Sequence, residues 1–216
     1  MRLSLALLVV LLLFTFTAMA SAAVTTHEYV VHTKWNLLSL PGIPLDPDPP
    51  SLFGVIPISG NLYKWNAPLQ GLDMYIDGDP DSFGHMLLTD GYWLRNTTGS
   101  AQPLSFSGLD DNDDMDIWIS LPKKGWTLIG NPFSYPFPWV NAKVTDGDST
   151  MLLRDASQWG VRWLSSAAIG WDEVGQGNIV VGVPDDNPTE ESLRAWHGYW
   201  VRSYKDKVAL ILESVP

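Results

Sequence analysis

The chain has 216 residues, 13 basic against 24 acidic side chains, a formal net charge of −11, no cysteine, and eleven Trp, seven Tyr and seven Phe. That balance argues against nucleic acid as a partner, because phosphate binding draws on clustered Lys and Arg and none cluster here. Without cysteine there are no disulfides and no thiolate metal sites, so burial of aromatic and aliphatic surface must hold the fold together.

In chain order, Met1 and Arg2 lead into an apolar run from Leu5 to Phe16 and then into Ala18, Ala20, Ser21, Ala22 and Ala23. A charged start, a short apolar core and an Ala-x-Ala-like exit read as a signal peptide over residues 1–23. The run is shorter than the roughly 20 apolar residues a span requires, so no membrane span is expected after cleavage. The expected destination is the medium or the cell surface, with the periplasm as an alternative.

Beyond it, helical periodicity is nearly absent, and short β-branched and aromatic runs alternate with Gly, Pro, Asn and Asp. Strands are expected at 28–33, 35–40, 62–66, 73–76, 91–95 and 103–107, then at 116–121, 126–129, 150–154, 169–172, 178–183, 198–203 and 207–212. One short helix is expected ahead of Gly198. Asn187 would cap it, Pro188 would take its first position, Glu190 would follow three residues after the cap, and Leu193 and Trp196 would share a face.

The two parts of the chain correspond in a constant order. Trp35-Asn36-Leu37-Leu38-Ser39-Leu40-Pro41 matches Trp126-Thr127-Leu128-Ile129-Gly130-Asn131-Pro132, and Trp65 with Gln70-Gly71 matches Trp171 with Gln176-Gly177. Gly91-Tyr92-Trp93-Leu94-Arg95 matches Gly198-Tyr199-Trp200-Val201-Arg202. The reading is a mostly β fold of two tandem related modules, 24–109 and 110–216, packed as a pseudo-symmetric sandwich or barrel pair. The second module carries an insert near 140–167. Because Trp35, Trp65, Trp93, Trp126, Trp171 and Trp200 recur in both modules, they are expected in the shared core.

That directs the search for chemistry to what the modules do not share. Asp110, Asn112, Asp114 and Asp116 alternate at the junction, and oxygen ligands so spaced suit Ca²⁺, although Met115 stands where a calcium loop turns on Gly. A solvated acidic linker is the competing reading. Trp139, Trp159 and Trp163, with Arg154 and Arg162, are the candidate ligand-binding residues: aromatic planes stack on the apolar face of a sugar while polar neighbours bind its hydroxyls. His27, His32, His85 and His197 have no metalloprotease spacing, no Gly-x-Ser-x-Gly elbow occurs, and Asn96-Thr97-Thr98 is a glycosylation sequon by pattern alone.

The run from Trp35, the run from Trp126 and the later Gly-Tyr-Trp strands resemble a Trp-rich repeat of secreted and cell-surface bacterial proteins, in which a "GWNLIGNP-like" strand precedes a "GYW-like" strand. The resemblance implies an accessory extracellular β module and brings no catalytic residues with it. The functional expectation is a non-catalytic binding or structural protein for polysaccharide or cell-surface components, with self-association through edge strands as a further role. The rival expectation is a glycoside hydrolase-like enzyme with Asp or Glu in a cleft between the modules.

Overall fold

A computed structural model describes residues 23–183 and 188–214. The signal peptide read over residues 1–23, except for Ala23, lies outside the described residues, as does Asn187.

The first half runs β1 (Val24–Val31), β2 (Lys34–Leu38), β3 (Ile43–Pro44), α1 (Pro49–Phe53), β4 (Leu62–Asn66), β5 (Gly71–Met74), α2 (Pro80–Phe83), β6 (Tyr92–Asn96) and β7 (Gln102–Leu109). A short 3-10 turn, Asp111–Asp114, joins it to β8 (Ile117–Leu121), β9 (Gly125–Gly130), β10 (Phe137–Pro138), β11 (Lys143–Thr145), β12 (Thr150–Leu152), α3 (Leu153–Ala156), β13 (Ala168–Asp172), β14 (Gly177–Val181), β15 (Ser192–Leu193), β16 (Gly198–Ser203) and β17 (Val208–Leu212).

Each half is a two-sheet sandwich, and the strand orders correspond term by term. The order β2-β6-β4-β5 in the first half corresponds to β9-β16-β13-β14 in the second, and β1-β7-β3 corresponds to β8-β17-β11, to which the insert adds β12. The pairings that build these sheets are antiparallel, and none closes into a barrel among the described residues, so of the two expected packings the sandwich is the one formed.

The first core fills with Val31, Leu38, Leu62, Tyr92, Leu94, Leu104 and Phe106; the second with Ile119, Leu121, Ile129, Val144, Tyr199, Val201 and Leu210. These are alternate residues of their strands, the period-two pattern that gives a sheet one buried face.

The expected helix ahead of Gly198 does not form. Glu190 bridges in parallel to Val181, and Ser192–Leu193 pairs with Phe137–Pro138, with Leu193 fully buried. Pairing with Val181 and with Phe137–Pro138 overrides the local helix signal. A short helix stands instead in the first half at Pro80–Phe83, and another at Pro49–Phe53, both with proline in the first turn. The strand expected over 150–154 ends at Leu152, after which Leu153–Ala156 turns helical and buries Leu153 and Ala156 in the second core. The insert thus lengthens one sheet and covers its core.

The halves join across a pseudo-two-fold axis. Leu38 bridges to His197 and Ile129 to Asp90, while the Ser39 N–H donates to the Trp196 carbonyl and the Gly130 N–H to the Thr89 carbonyl, each at 2.8 Å. At the junction Asn112 is fully buried, and its Nδ2 donates to the carbonyls of both Pro41 (3.0 Å) and Pro132 (2.5 Å), which close the matching Trp-led runs of the two halves.

Candidate functional site

The Gly-Tyr-Trp motif divides its work by residue. Gly91 and Gly198 lie where the halves touch: a Cβ on Gly198 would stand 3.2 Å from the Gly91 Cα. Tyr92 and Tyr199 point into the two cores, and each hydroxyl accepts the backbone N–H five residues earlier, from Leu87 at 2.6 Å and from Arg194 at 2.7 Å. Trp93 and Trp200 take the opposite face of the strand, with Arg95 and Arg202 two residues on.

Burial raises the Tyr92 and Tyr199 phenols above their ordinary value of 10.0. The fold therefore holds the neutral phenol, while the unfolded chain ionises near pH 10, so this contribution is complete below that pH and is lost as pH rises beyond it. Denaturant unfolding is expected to show no loss at about pH 8 and a loss at about pH 11, because ionisation of the unfolded chain sets in near pH 10. Tyr92→Phe is expected to flatten that slope and to cost about 1 kcal/mol at the lower pH through the orphaned Leu87 N–H. An unchanged slope in the variant would contradict this assignment.

All six repeated Trp are half-buried rather than core. They line two open grooves. The first, about 310 Å³, is walled by Trp35, Tyr63, Leu72, Trp93 and Trp171; the second, about 350 Å³, by Trp65, Trp126, Ile169, Asn178 and Trp200. Position by position these are the same five places: Trp35 matches Trp126, Tyr63 matches Ile169, Leu72 matches Asn178, Trp93 matches Trp200, and Trp171 matches Trp65. Each groove takes four residues from one half and one Trp from the other.

Two glutamines hold the lent tryptophans in place. Gln70 accepts the Trp126 N–H at 3.0 Å and donates back to its carbonyl at 2.9 Å, where Trp65 Nε1 also donates at 2.7 Å. In the mirror arrangement Gln176 accepts the Trp35 N–H at 3.1 Å and donates to the Trp35 carbonyl at 2.9 Å, joined by Trp171 Nε1 at 3.1 Å. An amide side chain here does what a neighbouring strand would do for the edge residue. Both glutamines sit at positive φ, 52° and 54°, ahead of Gly71 and Gly177, a left-handed turn conformation costly for a non-glycine residue.

Within the grooves the indoles meet edge to face, Trp35 on Trp93 at 5.9 Å, Trp93 on Trp171 at 5.2 Å and Trp65 on Trp200 at 4.9 Å. The indole N–H groups of Trp65 and Trp171 are taken by the cross-half bonds. Those of Trp35, Trp93, Trp126 and Trp200 make no hydrogen bond among the described residues. Tyr63 and Trp65 leave the same face of β4 about 7 Å apart, as do Ile169 and Trp171 on β13, so the two grooves adjoin.

Of the residues singled out in the sequence, Trp139 is fully buried and donates its indole N–H to the Ser166 carbonyl at 2.8 Å. It is a core residue, so its place as a ligand contact is withdrawn. Trp163 is half-buried, with the Lys205 ammonium 4.0 Å above its ring. Arg154 is exposed on α3. Trp159, 86% exposed, and Arg162 do come together, the guanidinium 5.3 Å from the Trp159 ring and 4.4 Å from that of Tyr204.

Asp110 and Asp116, offered to Ca²⁺ together with Asn112 and Asp114, turn to separate contacts. A 3-10 turn carries Asp111–Asp114, about three residues per turn, so residues two apart do not share a side. Asp110 lies 3.1 Å from His27 Nε2 without hydrogen-bond alignment, Asn112 clamps the two prolyl carbonyls, and Asp116 accepts from the Ser214 N–H. Among the described residues no three His, Asp or Glu side chains gather to hold a metal. Asn96 of the sequon is buried and donates to the Val31 and Ser100 carbonyls, which leaves no room for a glycan.

A third concavity, about 350 Å³, runs between the halves beside Trp65 and includes Lys64, Asp73, Asp90 and Thr127. Burial raises the Asp90 carboxyl above its ordinary range, opposed by Lys64. Among the described residues no helix is long and apolar enough to cross a membrane. Comparison with protein-family models, with curated proteins and with solved structures returns no match for this chain.

Proposed function

We propose that this chain is an exported, non-catalytic binding protein, two copies of one module, that holds a polysaccharide of the cell surface or its surroundings on its paired tryptophan grooves. The observation that carries this reading is the five-for-five correspondence of the groove walls. Indoles left half-exposed at matching positions, with free N–H donors and an arginine beside each groove, offer what a pyranose needs: a plane for its apolar face and donors for its hydroxyls. A core role would have buried them. The signal peptide read over residues 1–23 supplies the export.

Titration of intact protein with a panel of soluble oligosaccharides, followed by tryptophan fluorescence and calorimetry, tests it. Two sites are expected in the wild type and one in either Trp93→Ala or Trp200→Ala, each loss being at least about tenfold in affinity. A Trp93→Ala/Trp200→Ala protein that is folded and binds as the wild type does would refute the assignment. Hydrolysis is the second reading, favoured by the raised carboxyl of Asp90 in a cleft shared with Asp73 and Trp65. It requires turnover that Asp90→Asn abolishes.

A further inference from the structure

The two grooves match in their walls and differ at their rims. Beside the first groove one cation stands over an aromatic ring: the Arg95 guanidinium, cross-strand partner of Trp35, lies 5.9 Å from its centroid. Beside the second, Arg202 holds the equivalent place as cross-strand partner of Trp126, 5.6 Å from its ring. There the stack continues. Arg202 is also 5.3 Å from Tyr204, Arg162 lies 4.4 Å from Tyr204, and Arg162 lies 5.3 Å from the exposed Trp159.

This row of alternating guanidinium and aromatic groups arises where the insert brings Trp159 and Arg162 against the end of β16. Arg162 is held at a positive φ of 45°. In a chain with 24 acidic side chains against 13 basic ones, a typical surface arginine finds a carboxylate. Among the described residues neither Arg162 nor Arg202 pairs with one, although both are exposed. Carboxylates of adjoining segments are engaged elsewhere, Asp146 by the Lys205 ammonium at 2.6 Å and Asp206 by the Lys124 N–H at 2.7 Å. Stacking on aromatic planes fixes the guanidiniums while leaving their in-plane donors open, the geometry that grips carboxylates and sulfates.

We infer that the second groove selects an anionic glycan: its indoles stack a sugar ring while Arg202 and Arg162 bind that sugar's carboxylate or sulfate. This rests on the glycan reading above and adds charge selectivity confined to one groove. Asn178, where the first groove has Leu72, adds a polar wall to the same site.

The test uses Trp93→Ala protein, which isolates the second groove, titrated with an oligogalacturonate, its fully methyl-esterified counterpart and a sulfated oligosaccharide. The acid is expected to bind about tenfold or more tightly than the neutral ester at low salt, with the advantage shrinking as salt rises. Adding Arg162→Gln and Arg202→Gln, both exposed, should bring the acid down to the affinity of the ester measured in the same variant. Preference for the sulfated ligand over the carboxylate would name sulfate as the anion, and the reverse would name uronate. Equal binding of acid and ester, or a ratio indifferent to the arginine substitutions, overturns the selectivity while the grooves stand. Binding of no saccharide, or of a proline-rich peptide instead, overturns both.

Discussion

Asn112→Ala is expected to lower the free energy of unfolding by about 2–5 kcal/mol, since two buried carbonyls lose their donor and each orphaned group costs about 1–3 kcal/mol. Pro41 and Pro132 are both buried, and among the described residues neither carbonyl has another donor. For a chain of this size the loss corresponds to a melting temperature lower by roughly 5–20 °C. Asn112→Asp should be no better. It keeps the volume but turns a carboxylate oxygen toward a carbonyl. An alanine variant that melts within about 2 °C of the wild type would show that the clamp contributes little.

The second large effect belongs to the glycines of the repeated motif. Neither Gly91 nor Gly198 has a positive φ, so it is space rather than backbone conformation that requires glycine. A Cβ on Gly91 would lie 2.7 Å from the Ile129 carbonyl oxygen and 2.8 Å from Leu128 Cγ; one on Gly198 would lie 3.0 Å from the Leu38 carbonyl oxygen and 3.1 Å from Leu37 Cγ. Backbone cannot yield as a side chain does. Gly91→Ala is expected to cost about 1–3 kcal/mol, with Gly198→Ala toward the lower end. Because the two sites touch, the double variant should depart from additivity. Gly78→Ala, with open space around its Cβ, is the control and should stay within about 0.5 kcal/mol of the wild type. Denaturant midpoints for the four proteins decide the matter. A Gly91→Ala protein as stable as the control would remove the contact between halves as the reason for glycine in the motif.

Most long strands were readable because alternation over five or six residues is a local signal. Those at Leu62–Asn66 and Gly198–Ser203 match the expected bounds, and most others differ by one to four residues at an end. Ile43–Pro44, Phe137–Pro138, Lys143–Thr145 and Ser192–Leu193 are two or three residues long, too short for alternation to show, and exist only because a partner strand lies beside them. The helix expected from Asn187 fails for the same reason in reverse: its local signals were sound, but residues 190–193 have partners in Val181 and in Phe137–Pro138.

The candidate site was half legible. In Gly-Tyr-Trp-Leu-Arg and Gly-Tyr-Trp-Val-Arg a period of two already puts Trp93 on the face of Arg95 and Trp200 on the face of Arg202, opposite the buried Tyr92 with Leu94 and Tyr199 with Val201. A face that carries arginine is not a core face, and that signal outweighs recurrence as a guide to burial. Trp159 and Arg162 were found by their absence from the first half. Their partners Tyr204 and Arg202 were not, because the stacking that unites them spans some forty residues of chain.

What the amino-acid sequence determined by itself is what neighbours along the chain decide: strand positions, a mostly β class, the order of the matching runs, and the side of each strand on which a tryptophan emerges. Only the tertiary structure decided that Trp171 completes the groove of Trp35 and Trp93 while Trp65 completes that of Trp126 and Trp200. Gln70 and Gln176 make those exchanges by bonding the backbone of the opposite half, a contact between residues 56 and 141 positions apart that no local pattern encodes. The Gly-Tyr-Trp strands could be recognised as repeated from the chain alone. That their glycine meets its twin, their tyrosine caps a core and their tryptophan walls a groove follows from how the two halves fold against each other.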